Sequence, residues 1–197
     1  MVPVSAFEGK DVAVFGLGRS GIATCRALMA GGARVCAWDD NEAARQAAET
    51  AGVPLVDLNR RDWQNFAALV LSPGIPFRFP EPHRFVKMAQ LVGVPAIGDM
   101  ELFARAVADL KEFERPRIVG ITGTNGKSTT TALIGHILKQ CGKDVRVGGN
   151  IGVGVLDLDK LHSEAIYVVE LSSYELDLAE SLRCDVAVML NISADHL

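Results

Sequence analysis

The chain has 197 residues, of which 49% are hydrophobic and 22% are charged, and its formal net charge is −4. This length suits one large domain or two small ones, and the negative charge argues against a nucleic-acid partner. No apolar run approaches the roughly 18 residues that cross a bilayer, and the N-terminus lacks a signal-peptide pattern. A cytoplasmic location without membrane insertion is therefore expected.

The first half of the chain alternates short apolar runs with helical stretches. Such alternation predicts a parallel, doubly wound α/β sheet. The predicted strands cover residues 12–15, 34–38, 67–71 and 94–97, and the predicted helices cover residues 20–30, 42–50, 82–91 and 99–110.

Residues 111–116 are charged, contain a proline and lack apolar periodicity, which predicts a linker. We therefore expect one domain at residues 1–112 and a second α/β domain at residues 117–197. In the second domain, the predicted strands cover residues 117–121, 144–147, 165–171 and 186–191, and the predicted helices cover residues 128–139 and 176–182. Because the chain stops directly after a strand, the second domain is expected to be cut short.

A first glycine-rich segment, Gly-Leu-Gly-Arg-Ser-Gly at residues 16–21, joins a predicted strand to a helix. Glycines at this spacing permit a tight turn, close approach to a phosphate and close helix–strand packing, as in a Rossmann-like domain. Asp39 follows the second strand, near the spacing at which an acidic residue reaches a ribose hydroxyl. By itself the segment suggests a nicotinamide dinucleotide site, and a turn that binds nothing is the alternative.

A second segment, Gly-Thr-Asn-Gly-Lys-Ser-Thr at residues 123–129, also joins a strand to a helix. Backbone N–H groups in such a loop surround phosphates, the lysine meets the β/γ charge, and the following hydroxyl binds Mg²⁺. A strict P-loop has glycine where this chain has Ile121, so the match is incomplete. The alternative is a polar turn with a surface lysine.

Two phosphate sites in one chain restrict the possible functions. A dehydrogenase needs only the first site, and a simple nucleoside triphosphatase needs only the second. An enzyme that phosphorylates a nucleotide-linked substrate uses both.

The second loop resembles the modified phosphate loop of the Mur ligases and of their relatives, the folylpolyglutamate synthetases, which accounts for Ile121. Segments with the sequences Gly-Asn-Ile-Gly, Glu-Leu-Ser-Ser-Tyr and Asn-Ile-Ser-Ala-Asp-His match the central domain of that family in the same order, at residues 149–152, 170–174 and 191–196. The folate enzymes lack a preceding Rossmann-like domain, so the first hundred residues favour the Mur ligases. Glu175 departs from the motif, where glutamine is expected, and its role stays open.

The resemblance implies an N-terminal domain for a UDP-sugar, a central ATPase domain and a C-terminal domain beyond this chain. Within the family, residues 16–21, 72–76 and 97–103 resemble the enzymes that join D-glutamate to UDP-N-acetylmuramoyl-L-alanine, through an acyl phosphate, in cell-wall synthesis. ATP, Mg²⁺ and these two small molecules are the implied partners. The family's metal-bridging lysine is expected after Leu197, so the chain alone is expected to be inactive.

The same resemblance assigns residues to roles. It implies that Lys127, Glu170 and His196 are catalytic, and that Ser128, Glu170 and His196 hold metal. The implied ATP-binding residues are Gly123, Thr124, Asn125, Gly126, Lys127, Ser128, Thr129 and Thr130. The implied UDP-substrate residues are Gly18, Arg19, Ser20, Asp39, Asp40, Asn41, Gly74, Asn150 and Ser172.

Simpler interpretations remain open for several of these residues. Ser20 can cap a helix, Asp40 and Asn41 can form a turn, and Glu170 can be a solvated strand end. For the whole chain, the alternatives are a nicotinamide-dependent oxidoreductase and a non-catalytic nucleotide-sensing module.

Overall fold

The computed structural model describes residues 1–194 and contains two four-stranded sheets, each parallel throughout. In the first sheet the strand order is β2-β1-β3-β4. The inner strand β1 is a short apolar run with Val12, Ala13 and Val14 fully buried, as expected when helices cover both faces of a sheet. The first unit consists of β1 (Asp11–Phe15), α1 (Arg19–Ala30), β2 (Arg34–Trp38), α2 (Glu42–Thr50), β3 (Phe66–Leu71), α3 (Arg84–Leu91), β4 (Ala96–Ile97) and α4 (Asp99–Ala108).

The second sheet has the strand order β6-β7-β5-β8. Since all of its strand pairs are parallel, their carboxyl ends lie at one edge, where α/β proteins bind ligands. The second unit consists of β5 (Arg117–Thr122), α5 (Lys127–Gln140), β6 (Asp144–Gly149), β7 (Ala165–Glu170), α6 (Ser173–Asp177) and β8 (Val186–Met189).

The predicted fold class is confirmed, and one predicted helix is wrong. The sequence placed a helix at residues 176–182, whereas α6 begins at Ser173 and ends at Asp177. The cause is a capping box: the Ser172 side chain accepts a hydrogen bond from the Glu175 N–H, and the Glu175 carboxylate accepts one from the Ser172 N–H. The expected division at residues 112 and 117 stays a prediction.

One buried apolar cluster is common to the two units. Phe103 of α4 lies against Tyr167 of β7 with ring centroids 5.4 Å apart. Near the N-terminus, the Val2 N–H donates to the carbonyl of Leu156 at 2.8 Å. The sheets are therefore joined by a continuous core as well as by the chain between them.

Glu101 of α4 forms a polar clamp between the units although only 2% of it is exposed. Its carboxylate accepts hydrogen bonds from the Glu180 N–H, the Ser181 N–H and the Ser181 hydroxyl, each at 2.8 Å. It also pairs with Arg105 at 2.9 Å. Burial alone would raise the pKa of Glu101, but hydrogen bonds from Ser181 and Arg105 outweigh burial, so the pKa lies below its ordinary value.

Within residues 1–194, none of the helices combines the length and the apolar character that crossing a membrane requires.

Candidate functional site

An open cleft of about 510 Å³ lies where the carboxyl end of the second sheet meets the first unit. We call it the outer cleft. The first unit contributes Pro73 and Gly74, which follow β3. The second unit contributes the ends of its strands and the loops and first helical turns that follow them. These residues are Thr122, Gly123, Thr124, Lys127, Asn150, Ser172, Ser173, Tyr174, Leu176, Met189, Asn191, Ile192 and Ser193.

The loop between β5 and α5 has the backbone of a phosphate-binding turn. Gly126 has a φ of +85° and precedes α5 without any side-chain cap, so the first N–H groups of that helix are left for a ligand. Ser128 and Thr129 are exposed in the first turn of α5, and Thr130 is half-buried behind them. The preceding Ile121 is fully buried in β5, where it belongs to the sheet core rather than to the loop.

Lys127 bends back over this loop. Its Nζ donates to the carbonyl oxygens of Gly123 at 2.7 Å and of Thr124 at 3.0 Å. Lys127 is half-buried, unlike the surface lysine of the alternative interpretation. The ammonium group therefore lies at the phosphate loop, where it would neutralise the charge of a bound triphosphate.

Asn191, which follows β8, fixes the shape of the loop. Its Oδ1 accepts from the Asn125 N–H at 2.9 Å, and its Nδ2 donates to the Asn125 carbonyl at 3.0 Å. Its backbone carbonyl also accepts from the Thr124 N–H at 3.1 Å. Sequence reasoning included Asn191 in a matching motif but gave it no role, since the loop it clamps is 66 residues away.

Glu170 ends β7 with only 2% of its surface exposed. Its Oε1 accepts from Asn150 Nδ2 at 3.1 Å, whereas its Oε2 is buried without a hydrogen-bond partner among the described residues. Leaving a carboxylate oxygen in this state is costly, and a cation would satisfy it. A solvated strand end, the simpler interpretation of Glu170, is wrong because the side chain is buried.

The first glycine-rich segment also forms a tight strand-to-helix turn. Gly16 has a φ of +93°, and its carbonyl accepts from the Ser72 hydroxyl at 2.6 Å. A Cβ on Gly21 would lie 1.9 Å from the Gly16 carbonyl oxygen, so only glycine fits there. As the sequence predicted, these glycines provide the turn and the close helix packing.

Side chains around this turn are mainly acidic. The Leu17 N–H donates to Asp39 Oδ2 at 2.6 Å, and the Ser20 hydroxyl donates to Asp99 Oδ2 at 2.7 Å. Burial raises the pKa of Asp99. Asp99 was not among the predicted site residues, because its position at the start of α4 gives no signal that it faces α1.

The other predicted UDP residues have diverse surroundings. Arg84 donates to both carboxylate oxygens of Asp40, at 2.7 and 2.5 Å, which holds the pKa of Asp40 below its usual range. Asn41 caps α2 by accepting from two backbone N–H groups. Arg19 is exposed, and Gly74 lies in the outer cleft. Their part in ligand binding stays a prediction.

A second pocket, of about 240 Å³, adjoins the first glycine turn. We call it the inner pocket. It is lined by Gly18, Arg19, Ser20, Ser72, Pro73, Asp99, Gly149, Asn150, Gly152, Gly154, Asp157 and Glu175. Since Pro73 and Asn150 line both spaces, the inner pocket and the outer cleft are neighbours that run from one glycine turn to the other.

Comparisons with known proteins agree with this geometry. Residues 121–197 match the family description "Mur ligase middle domain". Over all 197 residues the chain is 61% identical to the UDP-N-acetylmuramoylalanine–D-glutamate ligase of Phenylobacterium zucineum (strain HLK1) and 58% identical to that of Caulobacter sp. (strain K31). The chain is thus similar to Mur ligases along its whole length, and residues 121–197 match the middle domain of that family.

The Mur ligase resemblance seen in the sequence is thereby confirmed, but the chain spans only 42% of the length of these two relatives. A solved structure, the UDP-N-acetylmuramate:L-alanyl-γ-D-glutamyl-meso-diaminopimelate ligase from Neisseria meningitides, has a TM-score of 0.56 over 95% of this chain and 62% of its own. At 18% identity this likeness concerns the fold alone.

The structure thus brings Lys127, Glu170 and Asn150 to neighbouring strand ends of one Mur ligase domain. His196, predicted to hold metal and to act in catalysis, lies outside the described residues. Among residues 1–194, no group of three or more histidine, cysteine, aspartate or glutamate side chains is placed to hold a metal ion. Among the described residues, Glu170 and the exposed hydroxyl of Ser128 are the candidates for holding a metal ion at this site.

Proposed function

We propose that the chain is the first part of an ATP-dependent ligase that joins D-glutamate to UDP-N-acetylmuramoyl-L-alanine. The reaction forms an amide bond in peptidoglycan synthesis, on which cell shape and division depend. With its nucleotide substrates in the cytoplasm, the enzyme would act there. The chain by itself is proposed to be inactive, because it spans less than half of the relatives it matches.

The observation that carries this proposal is the pair of adjoining spaces between the two glycine turns. The inner pocket opens beside the first turn, and the outer cleft holds the phosphate loop and Lys127. A nucleotide sugar in the inner pocket can extend past Asn150 so that its carboxylate approaches a triphosphate in the outer cleft. A nicotinamide-dependent oxidoreductase would leave the phosphate loop without a role.

The proposed chemistry has two steps. A carboxylate oxygen of the substrate attacks the γ-phosphorus of ATP, and the bond from that phosphorus to the β,γ-bridging oxygen breaks. The products of this step are ADP and an acyl phosphate. The free amine of D-glutamate then attacks the acyl carbon, phosphate leaves from the tetrahedral intermediate, and the nitrogen loses a proton. Both steps bring anions together, so positioning and charge neutralisation dominate catalysis.

The described residues supply most of that positioning. N–H groups of the loop and of the first turn of α5 would bind the phosphate oxygens. Lys127 would give up its hydrogen bonds to the loop carbonyls and donate to the transferred phosphoryl group instead. Asn191 would hold the loop in one conformation before ATP binds, through its hydrogen bond from the Asn125 N–H. Asn150, held by Glu170, lies where the two spaces meet and would orient the substrate's sugar or diphosphate.

Mg²⁺ fits Glu170 Oε2, the oxygen that has no hydrogen-bond partner within residues 1–194. Glu170 Oε2 and the exposed hydroxyl of Ser128 are hard oxygen donors of the kind Mg²⁺ prefers. When bound, the ion would neutralise charge on the phosphate oxygens. Glu170 would then hold Asn150 with one oxygen and the ion with the other.

The test is an assay of the full-length protein that contains this chain. UDP-N-acetylmuramoyl-L-alanine, ATP and Mg²⁺ are supplied with a panel of D- and L-amino acids, and phosphate release is measured. Release that depends on both the nucleotide sugar and D-glutamate is expected. Tight binding of NADH without binding of the UDP-sugar, or no amino-acid-dependent release, would overturn the proposal.

A further inference from the structure

Glu175 is a buried acidic residue at the inner pocket, and neither the phosphate loop nor the metal site uses it. Only 3% of the residue is exposed, yet it contributes to the pocket wall together with Gly18, Ser20 and Asn150. Its backbone belongs to the first turn of α6. A charged carboxylate in such a place requires compensation that a capping box supplies only in part.

The two carboxyl oxygens of Glu175 have different surroundings. Oε2 accepts from the Ser172 N–H and from the Ser172 hydroxyl, both at 2.7 Å. Both of these hydrogen bonds go to Oε2, and neither goes to Oε1. This asymmetry suits a carboxylic acid, whose carbonyl oxygen accepts and whose hydroxyl oxygen carries a proton that it can donate. The donor would be Oε1–H, at the wall of the inner pocket.

The charges around Glu175 also favour the acid. Burial, with added repulsion from Asp99 and Glu170, outweighs the hydrogen bonds from Ser172 and raises the pKa of Glu175 to about 7. Asp157 lies in the same wall, and Arg19 is the one cationic side chain among the described lining residues. A bound anion would add further negative charge and hold the proton on Glu175 more firmly.

We propose that Glu175 binds the ligand of the inner pocket as a carboxylic acid, by donating Oε1–H to an oxygen of a UDP-sugar. The ligand's identity rests on the proposed function. Binding then takes up a proton whenever Glu175 is ionised in the free protein, so affinity falls as pH rises. Glu175 is thus a positioning residue, and its protonation state sets the affinity of the inner pocket for the ligand.

The first measurement needs no variant. Isothermal titration calorimetry of the full-length protein with UDP-N-acetylmuramoyl-L-alanine, without ATP or Mg²⁺, is run in buffers of different ionisation enthalpy. This ligand is suitable because its diphosphate, substituted at both ends, has no proton to lose near neutral pH. We expect uptake of about half a proton per ligand at pH 7 and affinity about tenfold weaker at pH 8 than at pH 6.

The second measurement compares Glu175→Gln with Asp99→Asn. Glutamine retains the capping box and carries a permanent donor, so Glu175→Gln is expected to bind with a pH-independent affinity and no proton uptake. Asp99→Asn changes the other buried carboxyl group of the same pocket. It is expected to keep a pH dependence that is moved to lower pH, because the repulsion from Asp99 that helps to raise the pKa of Glu175 is removed. Thermal unfolding verifies that both variants are folded.

Each outcome separates this inference from the proposed function. Binding without proton uptake by the wild-type protein, or an unchanged pH dependence in Glu175→Gln, overturns the role of Glu175 and leaves the ligase proposal standing. Loss of the pH dependence in Asp99→Asn alone does the same. Absence of UDP-sugar binding at every pH, in a protein that still binds ATP, overturns the proposed function and this inference together.

Discussion

The two glycine-rich turns of this molecule have similar backbones and opposite electrostatic surroundings. Each follows a buried strand and opens a helix that lacks a side-chain cap. At the first turn an amide is already occupied by Asp39, and Asp99 faces the helix through Ser20. At the second turn Lys127 lies over the loop, and Asn191, which follows β8, fixes the loop by hydrogen bonds to Asn125.

On the proposed function, this contrast would let one type of turn bind two different ligands. Glycines determine how closely a phosphate can approach, whereas side chains from distant segments set the charge that the turn tolerates. On the proposed function, the first turn would bind a nucleotide sugar, whose diphosphate carries less negative charge than a triphosphate. The second suits a triphosphate, whose charge requires a cation.

The largest expected effect follows from removing that cation. We expect Lys127→Ala to lower kcat/KM for ATP in the full-length protein by about 10²-fold or more, because charge neutralisation dominates phosphoryl transfer. The free energy of unfolding should change by at most about 1 kcal/mol, since the described hydrogen bonds of this side chain go to two carbonyls of its own loop. Steady-state kinetics and chemical denaturation measure the two quantities.

Lys139→Ala is the matched control, because Lys139 is exposed in the last turn of the same helix. It should leave both quantities near their wild-type values. Equal values of kcat/KM for ATP in the two variants would contradict the role of Lys127 in neutralising charge at the second turn.

The next largest effect is expected at Glu101, which forms the polar clamp between the two units. We expect Glu101→Ala to lower the free energy of unfolding by about 2–4 kcal/mol, because two backbone N–H groups, a hydroxyl and Arg105 lose a buried acceptor. Turnover should fall more than the affinity for either nucleotide. Glu49→Ala, which removes an exposed glutamate from α2, is the control.

The clamp also predicts a pH dependence. The folded-state pKa of Glu101 lies below its ordinary value of 4.5, so its stabilising contribution is fully present above that pH and is lost as pH falls through the lower folded-state value. The difference in unfolding free energy between wild type and Glu101→Ala should therefore shrink in acid. A difference that stays constant down to pH 3 would argue against an ionised clamp.

A smaller effect is expected from the proposed metal ligand. Glu170→Gln should raise the Mg²⁺ concentration required for ATP binding by about tenfold or more and leave UDP-sugar affinity nearly unchanged. Magnesium titrations at fixed ATP measure the first quantity. Glu164→Gln, an exposed carboxylate just before the same strand, should behave as wild type; an equal shift in both variants would exclude a specific ligand role.

The sequence predicted correctly the features that depend on residues close together in the chain. The buried strands, the glycine turns and Lys127 follow from short patterns, and the structure contains them. The predicted helix at residues 176–182 is wrong because the capping box of Ser172 and Glu175 makes α6 begin at Ser173. Asn191, Asp99 and Glu101 act across 66 or more residues, and such contacts depend on how the two sheets pack.

The most direct test of the contrast between the turns is a crossed binding experiment. UDP-N-acetylmuramoyl-L-alanine and Mg-ATP are titrated, separately and together, into the full-length wild-type protein, Lys127→Ala and Asp39→Ala. The account predicts one site for each ligand without mutual displacement, loss of ATP affinity only in Lys127→Ala, and loss of UDP-sugar affinity only in Asp39→Ala. Displacement of one ligand by the other, or variants that each weaken both ligands alike, would contradict it.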